Sequence, residues 1–203
     1  MEIIKNLMDP IFLIQSVGLI GIFAIVFAES GLFFGFFFPG DSLLFTAGLL
    51  ASQGYFPVIL LFFGAWLAAV LGDTIGYSFG YRWGRKLFVR EDSFFFRKDH
   101  LYQTEKFFAK YGTKAIVLAR FVPIVRTFTP ILAGVGQMSY RTFLTYNILG
   151  GFGWTVLMVF LGYYLGRMIP NIDKYILPII LLIIVISFVP IVVEFLKNRN
   201  KKV

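Results

Sequence analysis

Four stretches of the sequence contain no charged side chain: Pro10 to Ala28, Ser42 to Gly72, Thr142 to Gly166 and Tyr175 to Val193. A helix needs about 20 apolar residues to cross ~30 Å of hydrocarbon, so the first, third and fourth stretches each supply one spanning helix. The second is too long for one helix and too short for two. Its turn cluster Gly54-Tyr55-Phe56-Pro57 divides it into a short piece, Ser42 to Gln53, and a full span from Pro57 to about Tyr81. Hydrophobic residues make up 58% of the chain and charged residues 15%, well outside the range of an ordinary soluble domain. The expected class is an all-α membrane protein with a single membrane domain over residues 1–203. With no cysteine, thiol nucleophiles and thiolate metal sites are excluded. The net charge of +8 comes from basic residues flanking the apolar stretches, which reads as a topology signal, so no nucleic-acid partner is expected.

The short piece from Ser42 to Gln53 cannot cross a bilayer. With Gly31 to Phe38 it flanks the break Pro39-Gly40-Asp41, which makes a re-entrant hairpin over about 30–55, because broken backbone at membrane depth is tolerated only inside protein or beside a wet cavity. The same shape recurs over about 115–140, where two half-length pieces flank "ARFVPIVRTFTP". Ala47-Gly48, Gly64, Gly76-Tyr77 and Gly80 match Ala133-Gly134, Gly150, Gly162-Tyr163 and Gly166 at one offset of 86 (134 minus 48). This reads as a repeat of a hairpin plus a crossing helix. The basic loop at about 82–114 holds nine Lys/Arg against four acids, and Lys197, Arg199, Lys201 and Lys202 follow the last span. Both regions are therefore expected in the cytoplasm, as are both termini. Each unit makes an odd number of crossings, so the second copy is inverted, with further spanning helices at either end of the chain. The first apolar run ends at Glu29 without a cleavage-type motif and is read as a retained helix.

Arg120 and Arg126 lie six positions apart, about 240° around an unbroken helix, and would point to different faces. A break at Pro123 lets both converge on one cavity. Thr129 before Pro130 resembles a helix N-cap with proline at the first helical position, which would aim free amides at the same place. Two guanidiniums and a helix N-terminus describe an anion site, and phosphate suits the planar arginine fork. Glu29 and Asp41 supply the opposite charge. At depth each either pairs with an arginine or exists protonated, which gives a proton-coupling role; alternatively Asp41 caps its half-helix, Glu29 sits at the water interface and the four charges form structural ion pairs. Asp73, in "GDTIGYSFG", is a third functional acid or a packing residue. Asn147 and Trp154 are candidates to line the cavity, although an interhelical polar contact and a lipid-interface anchor suit them better. Segment 94–111 reads as a cytoplasmic interfacial helix that includes His100, the lone histidine and an inert one.

No enzyme class fits, since serine–histidine pairs, a catalytic histidine with partners and clustered metal-binding aspartates are all missing from the pattern. No cofactor and no metal are expected. The stretches "FAESGLFFGFFFPGDSLLFTAG", "LGDTIGYSFGYRWGR" and "YGTKAIVLARFVPIVRTFTPILAGVGQMSYRTFLTYNILGGFGW" together resemble the DedA family of bacterial inner-membrane proteins, also called SNARE-associated or VTT-domain proteins. The resemblance covers nearly the whole chain. It implies that Glu29 and Asp41 stand at the family's membrane acids and Arg120 and Arg126 at its essential arginines. It also implies a membrane lipid transporter that depends on the proton gradient: a flippase for undecaprenyl phosphate or a related polyprenyl phosphate, returning carrier lipid for cell-wall synthesis. The bare phosphate head matches the two arginines better than a zwitterionic head, whose amine would need its own partner. A glycerophospholipid flippase or scramblase, a proton-coupled exporter of small molecules and a purely structural membrane protein remain as other readings, and the chain acts alone or as a homo-oligomer.

Overall fold

The computed structural model describes residues 10–31, 40–87, 112–168 and 178. Among these residues there are six α-helices and no strand: α1 Pro10–Gly31, α2 Gly40–Ser52, α3 Val58–Leu87, α4 Ala115–Ala119, α5 Pro123–Val135 and α6 Tyr140–Met168. Among the described residues two stretches are long and apolar enough to cross a bilayer, Val58–Trp83 and Tyr140–Met168. Apart from Pro178, the fourth uncharged run lies outside the described residues, as do the first limb of the first hairpin at 32–39 and segment 94–111 with His100.

The first uncharged run departs from the single spanning helix expected over Pro10 to Ala28. Gly18 takes φ 60° and ψ −167°, a left-handed conformation open to glycine at no steric cost, and it breaks α1. The apolar helix beyond the break, Gly18–Gly31, is shorter than the about 20 residues that a crossing needs.

The second Pro-containing stretch is also broken, and its register differs from the sequence reading. Val122 is extended (φ −121°, ψ 105°) because the ring of Pro123 excludes the helical region for the residue before it. Pro123 then opens α5, where its missing N–H costs nothing. The expected start at Thr129-Pro130 is not a start. Pro130 lies inside α5, and Thr129 Oγ1 donates to the Val125 carbonyl at 2.7 Å in place of a capping bond.

The chain gathers into two compact units. The first contains α1 up to Ile22, α2, α3 up to Leu61 and α6 from Met158. Within it α2 lies against α6 with backbone in contact: a Cβ added at Gly48 would meet the Val159 carbonyl group and Tyr163 N, and one at Gly162 would meet the Phe45 carbonyl. Gln53 Nε2 donates to the Gly166 carbonyl at 3.2 Å beside this contact.

The second unit contains α1 from Phe23, α3 from Phe62, α4, α5 and α6 up to Leu157. Here α5 lies against α3, with Gly80 on the Ile131 backbone and Gly134 on that of Tyr77 and Tyr81. Tyr77 OH donates to the Met138 carbonyl at 2.5 Å, and its ring stacks on Phe143 with centroids 4.6 Å apart. Phe63, Leu67, Leu71 and Ile75 of α3 are exposed, an apolar face suited to lipid.

Candidate functional site

Close helix approach in the second unit carries its charges inward. α1 crosses α3 where Gly31 meets Gly72: a Cβ on Gly72 would lie 2.6 Å from the Phe27 carbonyl oxygen and 3.0 Å from Gly31 N. Only glycine permits that approach. It brings Glu29 and Ser30 of α1 and Asp73 of α3 to one level, and Glu29 and Asp73 are buried at 3% and 6% exposure.

Arg120 enters from the turn that ends α4, where its N–H bonds the Val117 carbonyl at 3.3 Å. Its side chain lies across two glycines of α6. An added Cβ on Gly150 would come within 3.4 Å of Arg120 Nε, and one on Gly151 within 3.4 Å of an outer guanidinium nitrogen. That nitrogen donates to Asp73 Oδ2 and to Asn147 Oδ1. Asn147 is fully buried on α6, and its Nδ2 donates to the Val70 carbonyl of α3 at 3.1 Å. One asparagine thus holds the arginine and fastens α6 to α3.

Arg126 stands in the first turns of α5 and donates to Glu29 Oε1. Its guanidinium carbon lies 5.5 Å from the centre of the Trp154 ring, a cation–π contact from α6. Glu29, Ser30, Asp73, Arg120, Arg126, Thr127 and Trp154 line one cavity of about 20 Å³. That volume admits about one water molecule. Glu29 Oε2 and Arg120 Nε are buried beside these groups with no hydrogen-bond partner among the described residues.

Both arginines therefore reach the same cavity, each against a carboxylate from another helix. Glu29 is the partner of Arg126, and Asp73 is the partner of Arg120. Asp41 lies in the first turn of α2 and belongs to the other unit. Thr129 is buried on α5, bonded to its own helix. Trp154, which the sequence suits to a lipid interface, is 3% exposed and faces Arg126. Ser30 and Thr127 carried no sequence signal beyond lying next to Glu29 and Arg126. Among the described residues no group of acids and histidines is arranged to hold a metal ion.

Comparison with known proteins adds relatives to this geometry. The VTT domain profile matches residues 38–164. Protein DedA of Escherichia coli K12 is 43% identical over 185 residues, 88% of this chain and 82% of that protein. Undecaprenyl phosphate transporter A of Bacillus subtilis is 31% identical over 157 residues, 73% of this chain and 77% of that protein. Inner membrane protein YqjA of Escherichia coli K12 is 33% identical over 175 residues, 80% of this chain and 77% of that protein. No solved structure matches the chain.

Proposed function

The chain belongs to the VTT-domain, or DedA, family of membrane proteins, and from that premise we propose that it moves a phosphate-headed lipid between leaflets. The substrate in this reading is undecaprenyl phosphate or a related polyprenyl phosphate, carried in a proton-coupled step that recycles carrier lipid for the cell envelope. The name of the Bacillus relative supports that class. The setting is the bacterial cytoplasmic membrane, with both termini on the cytoplasmic side.

One observation carries the proposal: two guanidiniums from different segments meet at one buried cavity, each against a buried carboxylate. Two positive and two negative side chains balance there. A phosphate entering this low-dielectric place brings unbalanced negative charge, which is costly unless a carboxylate gives up its own. Protonation does so: a neutral Glu29 releases Arg126, whose fork then takes phosphate oxygens. Asp41 shares the proton-coupling role in this proposal. With room for about one water, the cavity is too small for a phosphate head, and admitting one requires the helices around it to move.

The moving parts are proposed to be two inverted copies of a hairpin plus a crossing helix. Support comes from the packing, since each short hairpin helix rests through a glycine on a long helix, α2 on α6 and α5 on α3. Movement of one copy against the other would expose the site to each leaflet in turn.

Proteoliposomes that contain a fluorescent polyprenyl monophosphate, with and without a pH gradient, test the reading. The monophosphate lipid is expected to cross faster when the gradient is present, and Arg126→Lys is expected to slow it about tenfold or more through loss of the planar fork. If phosphatidylethanolamine crosses equally fast and without a gradient, the chain is a scramblase instead.

A further inference from the structure

Asp73 and Asn147 share one nitrogen of Arg120, and neither has been given a role in the transport cycle. Resting on the reading above, we infer that they form a release switch for Arg120, in which Asp73 is a proton-exchanging counter-ion and Asn147 is a positioning residue that keeps the guanidinium in place once that charge is gone.

The geometry supplies both halves. The Arg120 nitrogen donates to Asp73 Oδ2 of α3 and to Asn147 Oδ1 of α6, and all three side chains are buried. Asn147 is itself fixed by its bond to the Val70 carbonyl, and the guanidinium rests on the Gly150–Gly151 surface. When a proton arrives on Asp73 Oδ2, the carboxylate loses its charge and most of its hold on the arginine. The amide oxygen of Asn147 has no charge to lose, so Arg120 stays where it is. A phosphate oxygen then accepts from the guanidinium in place of the carboxylate. When phosphate leaves, the proton leaves Asp73 and the pair re-forms. Among the described residues the charged groups lining the cavity at this cluster are Arg120 from the α4 turn, Glu29 from α1 and Arg126 from α5, with Asp73 itself on α3. Glu29 and Asp73 together allow the site to take up one proton for each negative charge of a phosphate monoester.

A purely structural bridge would behave differently. Asp73→Asn preserves shape and an acceptor for Arg120, so as a structural change it would leave phosphate binding weaker or unaltered and proton uptake unchanged. As the switch, it removes the counter-ion that phosphate must displace.

The test is calorimetric binding of farnesyl monophosphate to purified full-length protein in detergent, in buffers of different ionisation enthalpy, which counts protons taken up per ligand. Asp73→Asn is expected to take up about one proton fewer than the unsubstituted protein and to bind at least as tightly. Asn147→Ala is expected to keep the proton count and bind about tenfold more weakly, the cost of one lost hydrogen bond to a charged group. Asn147→Asp adds a second exchangeable carboxylate and is expected to raise the count by about one.

An unchanged count in Asp73→Asn overturns the switch while leaving the phosphate site standing. Should that variant fail to fold, the Asn147 pair decides: an affinity for Asn147→Ala within about twofold of the unsubstituted protein, or an unchanged count for Asn147→Asp, overturns it equally. If the unsubstituted protein binds no farnesyl monophosphate, the transport reading falls and the switch falls with it.

Discussion

The contact of α2 with the end of α6 and the contact of α5 with α3 are built from the same parts. In each, a glycine of a 13-residue helix, Gly48 or Gly134, faces the backbone beside a tyrosine of a long helix, Tyr163 or Tyr77. The offset of 86 that relates the two glycines also relates the two tyrosines, yet it relates four members of the site to apolar residues. Asp73 corresponds to Val159, Asn147 to Leu61, Glu29 to Ala115 and Trp154 to Ala68, all four of the latter buried. Burial at these places needs no charge. The glycines make the scaffold, and the buried ion pairs are an addition that costs desolvation in the second unit.

The strongest way to break this comparison is to give the second unit the identities found at the corresponding places. Asp73→Val with Asn147→Leu and Arg120→Phe removes a buried ion pair and its polar holder together, leaving no charge alone. Replacing a buried ion pair by apolar residues is often neutral or stabilising, so the melting temperature in detergent is expected to stay within a few degrees or rise. Transport of polyprenyl phosphate is expected to fall about a thousandfold, the equivalent of losing roughly 4 kcal/mol of charge-assisted contacts. Loss of folding in the triple variant would mean that the charges belong to the scaffold after all.

The scaffold itself gives the next effect. Gly134→Val would drive its side chain into the Tyr77 carbonyl and to within 2.6 Å of Tyr81 N, while Gly48→Val would meet the Val159 carbonyl and Tyr163 N at 3.2 Å. Helix backbone has nowhere to retreat, so each is expected to cost about 3 kcal/mol of stability, read from thermal melting. A large loss at Gly134 with none at Gly48 would show that the two contacts are not equivalent.

How much of this was legible in the sequence follows from how local each signal is. The spans of α3 and α6 show as uncharged length, and the break before α5 shows as a proline that restricts its own neighbour. The break at Gly18 is silent in the sequence, because one residue's left-handed backbone leaves no mark in an uninterrupted apolar run. The start of α5 was displaced because two prolines, Pro123 and Pro130, each offer a first-turn position, and only packing decides between them. The pairing of charges was beyond sequence reasoning. Glu29 is 97 positions from Arg126 and Asp73 is 47 from Arg120, separations set by helix crossings and not by any periodicity. The sequence sets Glu29 and Asp41 opposite the arginines and leaves Asp73 between a functional acid and a packing residue, because nothing local shows that Gly72 carries Asp73 to the level of Glu29.

The smallest expected effect separates the two tyrosines at the equivalent positions. Tyr77 OH donates to the Met138 carbonyl, closing α3 onto the turn between α5 and α6, whereas Tyr163 lies beneath Arg167, whose guanidinium carbon is 5.4 Å from the ring centre. A hydroxyl is needed for the first contact, and only a ring for the second. Tyr77→Phe leaves a carbonyl without its donor and is expected to cost about 1 kcal/mol. Tyr163→Phe keeps an aromatic face for the cation and is expected to cost less than about 0.5 kcal/mol. Melting curves of the two variants side by side resolve the difference, and equal losses would mean that Tyr163 also depends on its hydroxyl. In that event the two contacts would be alike in polar detail as well as in glycine packing, and the distinction between a bare scaffold and a charged one would narrow to Asp73, Asn147, Glu29 and the two arginines.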